Sequence, residues 1–249
     1  MSTKIIAVVN HKGGVGKTTT VASLGSALAE QGYKVLLVDL DAQANLTSSL
    51  LKVEPQRTIY EAINQKKELP VVSLNDTKSW SIVAASLDLA GAELEIANQL
   101  DREYILKDLL EEVEAEYDYI LLDCPPSLGL LTINALVAAT EVVIPLTAEA
   151  LPTKGLQKIQ DIIEKVQKRL NTSLRLSGIL LTRYENSKLS QMVEDALRQN
   201  YGELVYKTRI RKNVRIAEAP LYGVDILAYS SDSNGAEDYR ELAKEIASK

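Results

Sequence analysis

The sequence predicts an α/β fold, with a mostly parallel, twisted β-sheet flanked by helices on both faces. Short apolar runs rich in β-branched residues alternate with longer segments in which apolar residues recur every three or four positions. The short runs are continuously apolar, which is typical of strands covered on both faces. With 249 residues, 46% of them hydrophobic, the chain is long enough for one sizeable core. We therefore expect βαβ units in a single domain over residues 1–249.

The apolar runs predict strands, in chain order, at residues 5–9, 35–38, 81–84, 119–122, 141–145, 177–181 and 225–228. Helical periodicity predicts helices between them, at residues 18–31, 101–116, 153–170 and 187–201. In the third helix, for example, Leu156, Ile159 and Ile163 fall on one face.

Two further stretches have their own character. Residues 52–78 include Pro55 and Pro70 and are the least regular part of the chain, so we expect a surface excursion there. Residues 234–249 read "NGAEDYRELAKEIASK", with four acids against three bases. A thin apolar stripe in this stretch consists of Ala236, Tyr239, Ala243 and Ile246. The stripe predicts a helix packed on the protein surface.

Composition limits the classes of function. The formal net charge of -6 gives no overall reason to expect nucleic-acid binding, so a basic site would have to be local. The single cysteine, Cys124, cannot build a disulfide framework or a cysteine-ligated metal site within one chain, which favours a reducing cytoplasm. The first apolar run, at residues 5–9, is too short for a signal sequence or a membrane span.

A glycine-rich loop, "NHKGGVGKTTT", lies between the first predicted strand and the first predicted helix. In that context glycines let backbone N–H groups close around phosphate oxygens at a helix N-terminus. Lys17 would reach the β- and γ-phosphates, and the hydroxyl of Thr18 would bind Mg²⁺. The pattern predicts a P-loop NTPase fold. The predicted nucleotide-binding residues of the loop are Lys12, Gly13, Gly14, Val15, Gly16, Lys17, Thr18 and Thr19.

Three carboxylates are candidates for the chemistry beside this loop. Asp123 ends a buried apolar strand, where a carboxylate holds Mg²⁺ through water. Asp39 and Asp41 follow the second strand, and so much negative charge near a polyphosphate requires metal, water or a basic group between them. We predict a catalytic or switch role for Asp41. For Asp39, metal binding and a structural turn both stay open.

Four stretches together resemble the ParA/Soj group of deviant Walker A ATPases, in the ParA/MinD superfamily. They are KGGVGKTTT at 12–20, VDLDAQAN at 38–45, LLDCPPSLG at 121–129 and RKNVRIAEAP at 211–220. The resemblance implies Mg²⁺-dependent hydrolysis of ATP to ADP and phosphate. It also implies that Lys12 crosses to the nucleotide of a second subunit, so that two chains enclose two ATP molecules, while Lys17 serves its own site. Lys12, Lys17 and Asp41 are then the catalytic set.

The resemblance further implies a positioning function. The ATP-bound homodimer would bind DNA without sequence preference, and a ParB-like adaptor on the cargo would stimulate hydrolysis. The cargo would be a plasmid, a chromosome or a protein compartment, in the cytoplasm and on the nucleoid. The resemblance also implies that Glu149 contacts the nucleotide across the dimer and that Pro220 lies against adenine. Lys154 is a conceivable second cation across the interface.

A basic run supports DNA binding from the residues themselves. Between residues 207 and 215 there are five bases and no acid, on a chain of negative net charge. The chain has no Phe, and few aromatic residues lie near the run, which favours phosphate contacts over base stacking. The predicted DNA contacts are Lys207, Arg209, Arg211, Lys212 and Arg215.

Alternative functions make different demands on the sequence. A MinD-like membrane-associated positioning ATPase needs a basic, strongly apolar terminal helix, and residues 234–249 do not provide one, so we expect no stable membrane association. An electron-transfer relative needs cysteines from each subunit at a cluster, and the single cysteine of this chain, Cys124, directly follows the buried strand that ends at Asp123. A small-molecule ATPase or ligase stays open, although the paired lysines argue against it. The loop begins about ten residues from Met1, so we expect no N-terminal helix-turn-helix domain.

Overall fold

The computed structural model contains one mixed β-sheet, and it describes residues 2–53, 55–65, 68–77, 79–149 and 154–249. Its strands are β1 (Lys4–Val8), β2 (Val35–Asp39), β3 (Val71–Ser73), β4 (Trp80–Val83), β5 (Tyr119–Asp123), β6 (Glu141–Thr147), β7 (Arg175–Tyr184) and β8 (Val205–Arg211). Their order across the sheet is β3-β4-β2-β5-β1-β6-β7-β8. All neighbouring strands are parallel except β3 and β4. The predicted α/β class with a mostly parallel sheet is confirmed.

Helices connect the strands and cover both faces of the sheet. In chain order they are α1 (Lys17–Glu30), α2 (Asn45–Leu50), α3 (Ile59–Gln65), α4 (Leu89–Ile96), α5 (Ile105–Glu111), α6 (Leu130–Ala138), α7 (Lys154–Arg169), α8 (Lys188–Tyr201), α9 (Val214–Glu218), α10 (Ile226–Tyr229) and α11 (Asn234–Ala247). Buried residues of α1, α10 and α11 form one apolar layer with the sheet, and those of α3 to α8 form the other. On the first side α1 packs closely, because a Cβ on Gly25 would lie 2.6 Å from Cδ2 of Leu37.

Most predicted elements are present, and the exceptions have identifiable causes. The strand predicted at 225–228 is wrong, because Asp225 caps a short helix there and accepts hydrogen bonds from the N–H groups of Leu227 and Ala228. Strand β8 escaped prediction because it lies at an edge of the sheet and carries charged residues. The helix predicted at 101–116 is shorter, with α5 ending at Glu111.

The exposed edge of β8 is covered by side chains of α11. Glu245 accepts hydrogen bonds from the N–H groups of Lys207 (2.8 Å) and Thr208 (2.9 Å). Two turns earlier, Asp238 accepts one from the N–H of Arg211 (2.8 Å). These carboxylates occupy donors that would otherwise be free to pair with another strand.

The prediction that the last segment is a packed helix is confirmed. The side chains of its apolar stripe, Ala236, Tyr239, Ala243 and Ile246, are buried against the sheet and α1. Within the described residues, no helix combines the length and the apolar character needed to cross a bilayer.

Candidate functional site

The candidate site lies where β2, β5 and β1 end side by side. These strands are neighbours and parallel, so their carboxyl ends meet at one edge of the sheet. In the ladder, Asp123 pairs with both Val8 and Asp39. Asp123 therefore lies beside the strand that leads into the glycine-rich loop, and Asp39 lies one strand further away, both at the carboxyl ends of the strands, where ligand sites of α/β sheets are found.

The loop reaches α1 through two left-handed glycines. Gly14 has φ 73° and Gly16 has φ 90°, conformations that residues with a Cβ rarely adopt. Gly16 also occupies the N-cap position of α1 without any side-chain cap. The first N–H groups of α1 are therefore free of side-chain acceptors and suited to phosphate oxygens.

The two lysines of the loop have different surroundings. Lys17 opens α1 and is buried, whereas Lys12 is exposed at the loop surface. Neither of them forms an ion pair with a carboxylate in the described part of the chain. One lysine is thus enclosed by the chain and the other is exposed to solvent, and their two roles stay predictions.

Asp123 is a buried carboxylate without a described hydrogen-bond donor. Neither of its oxygens meets a donor in hydrogen-bonding geometry, although the Thr18 hydroxyl is near enough to lower its pKa. Burial raises the pKa of Asp123 well above its usual value, the charge of Asp39 raises it further, and the Lys17 ammonium opposes both. An unpaired buried carboxylate is costly, and a divalent cation would satisfy it.

The donor set fits magnesium bound together with a nucleotide. No cluster of three or more His, Cys, Asp or Glu side chains suited to a metal occurs among the described residues. Mg²⁺ is commonly held by one or two carboxylates together with substrate phosphates and water. Asp123 and the hydroxyl of Thr18 provide such a partial set.

Asp39 differs from Asp123 in having all its donors in place. Its Oδ1 accepts from the N–H of Asp41 (3.1 Å), and its Oδ2 accepts from the N–H (2.9 Å) and hydroxyl (2.8 Å) of Thr47. Burial raises the pKa of Asp39 to about 6 in spite of these bonds. Asp39 therefore anchors the start of α2 in this structure, and its metal role stays a prediction.

Asp41 lies on the turn between β2 and α2. Its side chain is half-buried and accepts a hydrogen bond from the N–H of Gln43 (3.0 Å). Ala44, at the N-cap of α2, has a positive φ of 49°, so this turn holds a strained non-glycine residue. Strain of this kind is concentrated at functional turns.

A small pocket brings Pro220 close to the loop. It lies between α1 and the segment that follows β8, and its lining includes Thr18, Thr19, Ile216, Pro220 and Ile226. The predicted contact of Pro220 with the nucleotide is consistent with this position.

The other predicted residues near the site have less defined surroundings. Glu149 is exposed, and its charge contributes to raising the pKa of Lys212, after a larger effect of Glu185. The side chain of Lys154 lies outside the described part of the chain. Cys124 is fully buried, which raises the pKa of its thiol and leaves it a neutral core residue.

The predicted DNA contacts separate into two groups. Arg209 pairs with Glu194 (2.8 Å) and Arg211 with Asp238 (2.6 Å), carboxylates whose side chains are 6% and 9% exposed. By contrast, Lys212 pairs with Glu185 and Arg215 with Asp232, whose side chains are 52% and 91% exposed. Lys207 is exposed on β8.

Two residues that touch the loop escaped the sequence analysis. Asn10 lies two residues after the end of β1 and contacts both the loop and β6, and Thr182 of β7 contacts the loop at Val15. The sequence offers one indication of the role of Asn10, which is its position at the end of an apolar run. Nothing in the sequence marks Thr182, because it lies far from the loop along the chain.

Comparisons with known proteins identify relatives over nearly the whole chain. A family model described as an AAA domain matches residues 3–176. Sporulation initiation inhibitor protein Soj of Bacillus subtilis is 44% identical over 98% of each chain. Chromosome-partitioning ATPase Soj of Treponema pallidum is 42% identical, over 99% of this chain and 98% of that one. Among solved structures, cobyrinic acid a,c-diamide synthase from Mycobacterium smegmatis, with bound ATP analogue and magnesium, has a TM-score of 0.84 and 38% identity, covering 97% of this chain and 93% of that one.

Proposed function

This chain belongs to the ParA/Soj family of deviant Walker A ATPases, and we propose that it positions a cargo on DNA by cycling between an ATP-bound dimer and a released monomer. Its reaction is the magnesium-dependent hydrolysis of ATP to ADP and phosphate. The observation that carries the proposal is the contrast between buried Lys17 and exposed Lys12 in one phosphate loop.

Within one chain, the loop and its neighbours bind the nucleotide. The backbone N–H groups around Gly14 and Gly16 donate to the phosphates, and Lys17 neutralises their charge from inside the site. Thr18 and Asp123 would hold Mg²⁺, with Asp39 as a further candidate, and the ion would supply charge neutralisation on the β- and γ-phosphates.

Across a dimer, Lys12 completes the site. Lys12 is exposed and forms no ion pair in the described part of the chain, and we propose that it reaches the nucleotide of the partner in a sandwich homodimer. A cation delivered in this way makes dimerisation depend on the γ-phosphate, and Asp41 would orient the attacking water once the site is closed. Glu149 is proposed to contact the partner's nucleotide.

We propose that the DNA-binding surface lies on β8 and on the segment that follows it. Lys207, Lys212 and Arg215 are the cations on this stretch that are not tied to buried carboxylates, so they are the strongest candidates for phosphate contacts. A short segment links them to the nucleotide pocket, because Arg215 lies beside Ile216 and one turn before Pro220. We propose that the ATP-bound dimer binds DNA without sequence preference, in the cytoplasm and on the nucleoid. A ParB-like adaptor on the cargo would activate hydrolysis.

One observation and one expected result separate this proposal from its alternatives. The apolar stripe of α11 is buried in the chain, so this helix has no apolar face left for a lipid surface. For a small-molecule ligase, DNA should not affect ATP turnover, whereas for a positioning ATPase it should stimulate it.

The deciding experiment is a salt titration of DNA binding by the ATP-bound protein. Wild type should bind unrelated duplexes equally well. The slope of log affinity against log salt is negative, and Lys212→Ala/Arg215→Ala should make it less steep by roughly 0.9 for each phosphate that the variant no longer neutralises. Lys168→Ala/Arg169→Ala is the matched control, because it removes the same charge. These residues end α7, just before β7 begins, and so lie at the amino ends of the strands, whereas Lys212 and Arg215 follow the carboxyl end of β8.

Anionic liposomes provide the second surface. ATP-dependent binding to liposomes, or equal DNA affinity and slope in wild type and Lys212→Ala/Arg215→Ala, would contradict the proposal.

A further inference from the structure

The phosphate loop is tied to the sheet at two points, by one side chain that follows β1 and one that belongs to β7. Asn10 acts at the start of the loop and Thr182, from β7, acts in its middle. Both side chains are almost fully buried, with 2% and 3% exposure. Both also bind carbonyl groups at the end of β6, the strand between β1 and β7.

Asn10 ends the pairing of β1 with β6 and turns the chain into the loop. The N–H of Val9 donates to the carbonyl of Val143, so the next rung of the parallel ladder falls at Pro145. There the side-chain Nδ2 of Asn10 donates to the carbonyl of Pro145 at 2.7 Å. The main chain is thereby released from the sheet one residue before His11.

The other end of the Asn10 amide fixes Lys12. Oδ1 of Asn10 accepts a hydrogen bond from the N–H of Lys12 at 2.9 Å. His11, between them, packs against α7, since a Cβ on Gly155 would lie 2.3 Å from its ring. The backbone of Lys12 is therefore set by contacts to β6 and α7, although its side chain is exposed.

Thr182 fixes the second half of the loop. Its hydroxyl lies 2.8 Å from the carbonyl of Val15 and 3.1 Å from that of Leu146, so its one proton is shared between them. Its methyl group lies 3.7 Å from the position of a Cβ on Gly16. These contacts hold the left-handed turn that leads directly into Lys17.

We propose that Asn10 and Thr182 are positioning residues with separate effects: Asn10 governs the step made across the dimer through Lys12, and Thr182 governs nucleotide binding within the chain through Val15 and Gly16. The Asn10 half rests on the proposed role of Lys12 across the dimer. The Thr182 half depends only on nucleotide binding within one chain.

The test compares Asn10→Ala with Thr182→Val, using equilibrium binding of a fluorescent ATP analogue, light scattering with ATP and kcat for ATP turnover. Asn10→Ala should lower kcat at least about tenfold and weaken ATP-dependent dimerisation, with nucleotide affinity within about twofold of wild type, because small misplacements of a catalytic group are costly. Thr182→Val should weaken nucleotide affinity about tenfold, and Thr182→Ser, which keeps the hydroxyl, should restore it.

Matched controls separate these effects from reduced stability. Asn134 is an equally buried asparagine whose amide accepts from the N–H of Leu106 and donates to two carbonyls, far from the loop. Thr140 directly precedes β6, at the amino ends of the strands, and its hydroxyl forms hydrogen bonds with the backbone of Ile5. Asn134→Ala and Thr140→Val should leave affinity and kcat unchanged. Should Asn10→Ala not fold, the uncharged Asn10→Ser replaces it, because the shorter side chain does not span both the carbonyl of Pro145 and the N–H of Lys12, and the same loss is expected.

If the Asn10 and Thr182 variants lose nucleotide affinity to the same extent, the division of roles is wrong. It is also wrong if the control variants lose as much affinity or kcat as the test variants. Lys12→Ala serves as the reference. If it loses dimerisation and turnover while Asn10→Ala does not, this inference alone fails. If Lys12→Ala behaves as wild type, the proposed cross-subunit step fails together with the Asn10 half, and the Thr182 half is decided by affinity alone.

Discussion

Asp39 and Asp123 are neighbours in the sheet, and they differ in the hydrogen bonds that their carboxylates accept. Asp39 accepts three hydrogen bonds from Asp41 and Thr47, whereas Asp123 has no described donor in bonding geometry. Burial acts on both, raising the pKa of Asp39 to about 6 and that of Asp123 well above its usual 3.8. The site therefore holds a destabilising carboxyl that a cation relieves.

Asp123→Asn should change the pH dependence of stability in the metal-free protein. A carboxyl with a raised folded pKa binds its proton more tightly when folded, so its contribution is fully present below the unfolded pKa and is lost as the pH rises through the folded pKa. Relative to Asp123→Asn, the wild type should lose unfolding free energy between pH 4 and pH 8, because the pKa of Asp123 is raised in the folded protein. Urea unfolding in the presence of a chelator measures this difference.

Asp195→Asn is the charge-matched control for that measurement, because Asp195 is exposed on α8 and should show no such difference. Stability curves of wild type and Asp123→Asn that stay parallel over this pH range would contradict the prediction. Mg²⁺ with ATP should stabilise the wild type more than Asp123→Asn.

The basic run also divides at the level of single residues. Arg211 is the ion-pair partner of the buried Asp238, and Arg209 shares the buried Glu194 with Arg198, so a variant of either arginine changes stability together with charge. Lys212 and Arg215 pair with exposed acids, and exposed pairs contribute little. DNA contacts are therefore tested on the second pair.

Among the elements, α11 determines how the sheet ends. Its apolar stripe packs against α1 and the sheet, while Asp238 and Glu245 occupy the N–H groups of β8. The pKa of Glu245 is lowered: burial alone would raise it, but hydrogen bonds from Lys207 and Thr208 prevail. The helix thus protects an edge strand and contributes to stability in its ionised form.

Glu245→Gln should be less stable than wild type at neutral pH, by about 1 kcal/mol after allowance for partial exposure. Because the folded pKa of Glu245 lies below its usual 4.5, its stabilisation is present above that pH and is lost as the pH falls through the folded value. The difference between the two proteins should therefore shrink below about pH 4. Urea unfolding over this pH range measures it.

Glu241→Gln is the control on the same helix, because Glu241 is exposed and pairs only with Lys244 among the described residues. A loss in Glu241→Gln as large as that in Glu245→Gln would show that helix charge, rather than coverage of β8, is responsible.

At the scale of the whole molecule, the proposed sandwich makes each site depend on two chains. In a mixed dimer of Lys12→Ala and Asp41→Ala, the site on the Lys12→Ala chain keeps its own Asp41 and receives Lys12 from the other chain. The second site lacks both groups. Two inactive variants should therefore restore turnover when mixed, to about a quarter of wild type for random pairing in a two-fold dimer.

Phosphate release from equimolar mixtures checks this prediction, with each variant alone as the control. Lys17→Ala mixed with Lys12→Ala should not reach that level, because the only complete site would need nucleotide bound on both chains to close. If the Lys12→Ala and Asp41→Ala mixture stays inactive, Lys12 acts within its own chain.

Local patterns in the sequence determined the parallel sheet, the phosphate loop and the carboxylates beside it. Continuous apolar runs mark buried strands, and a glycine-rich turn between a strand and a helix has few other uses, so Lys17, Thr18 and Asp123 could be assigned from spacing alone. The burial of the α11 stripe was predicted for the same reason, because a helical period of apolar residues implies a packed face.

Only the tertiary structure decided which polar groups meet. Strand β8 and helix α10 depend on contacts rather than on local preference: α11 covers the edge of one, and Asp225 caps the other. The pairing of Arg211 with Asp238 and the contact of Thr182 with Val15 join residues far apart in the chain. Charge and hydrogen-bond partners depend on distance in space, which one-dimensional spacing does not contain, so the sequence located the site and the fold determined which of its residues are free to act.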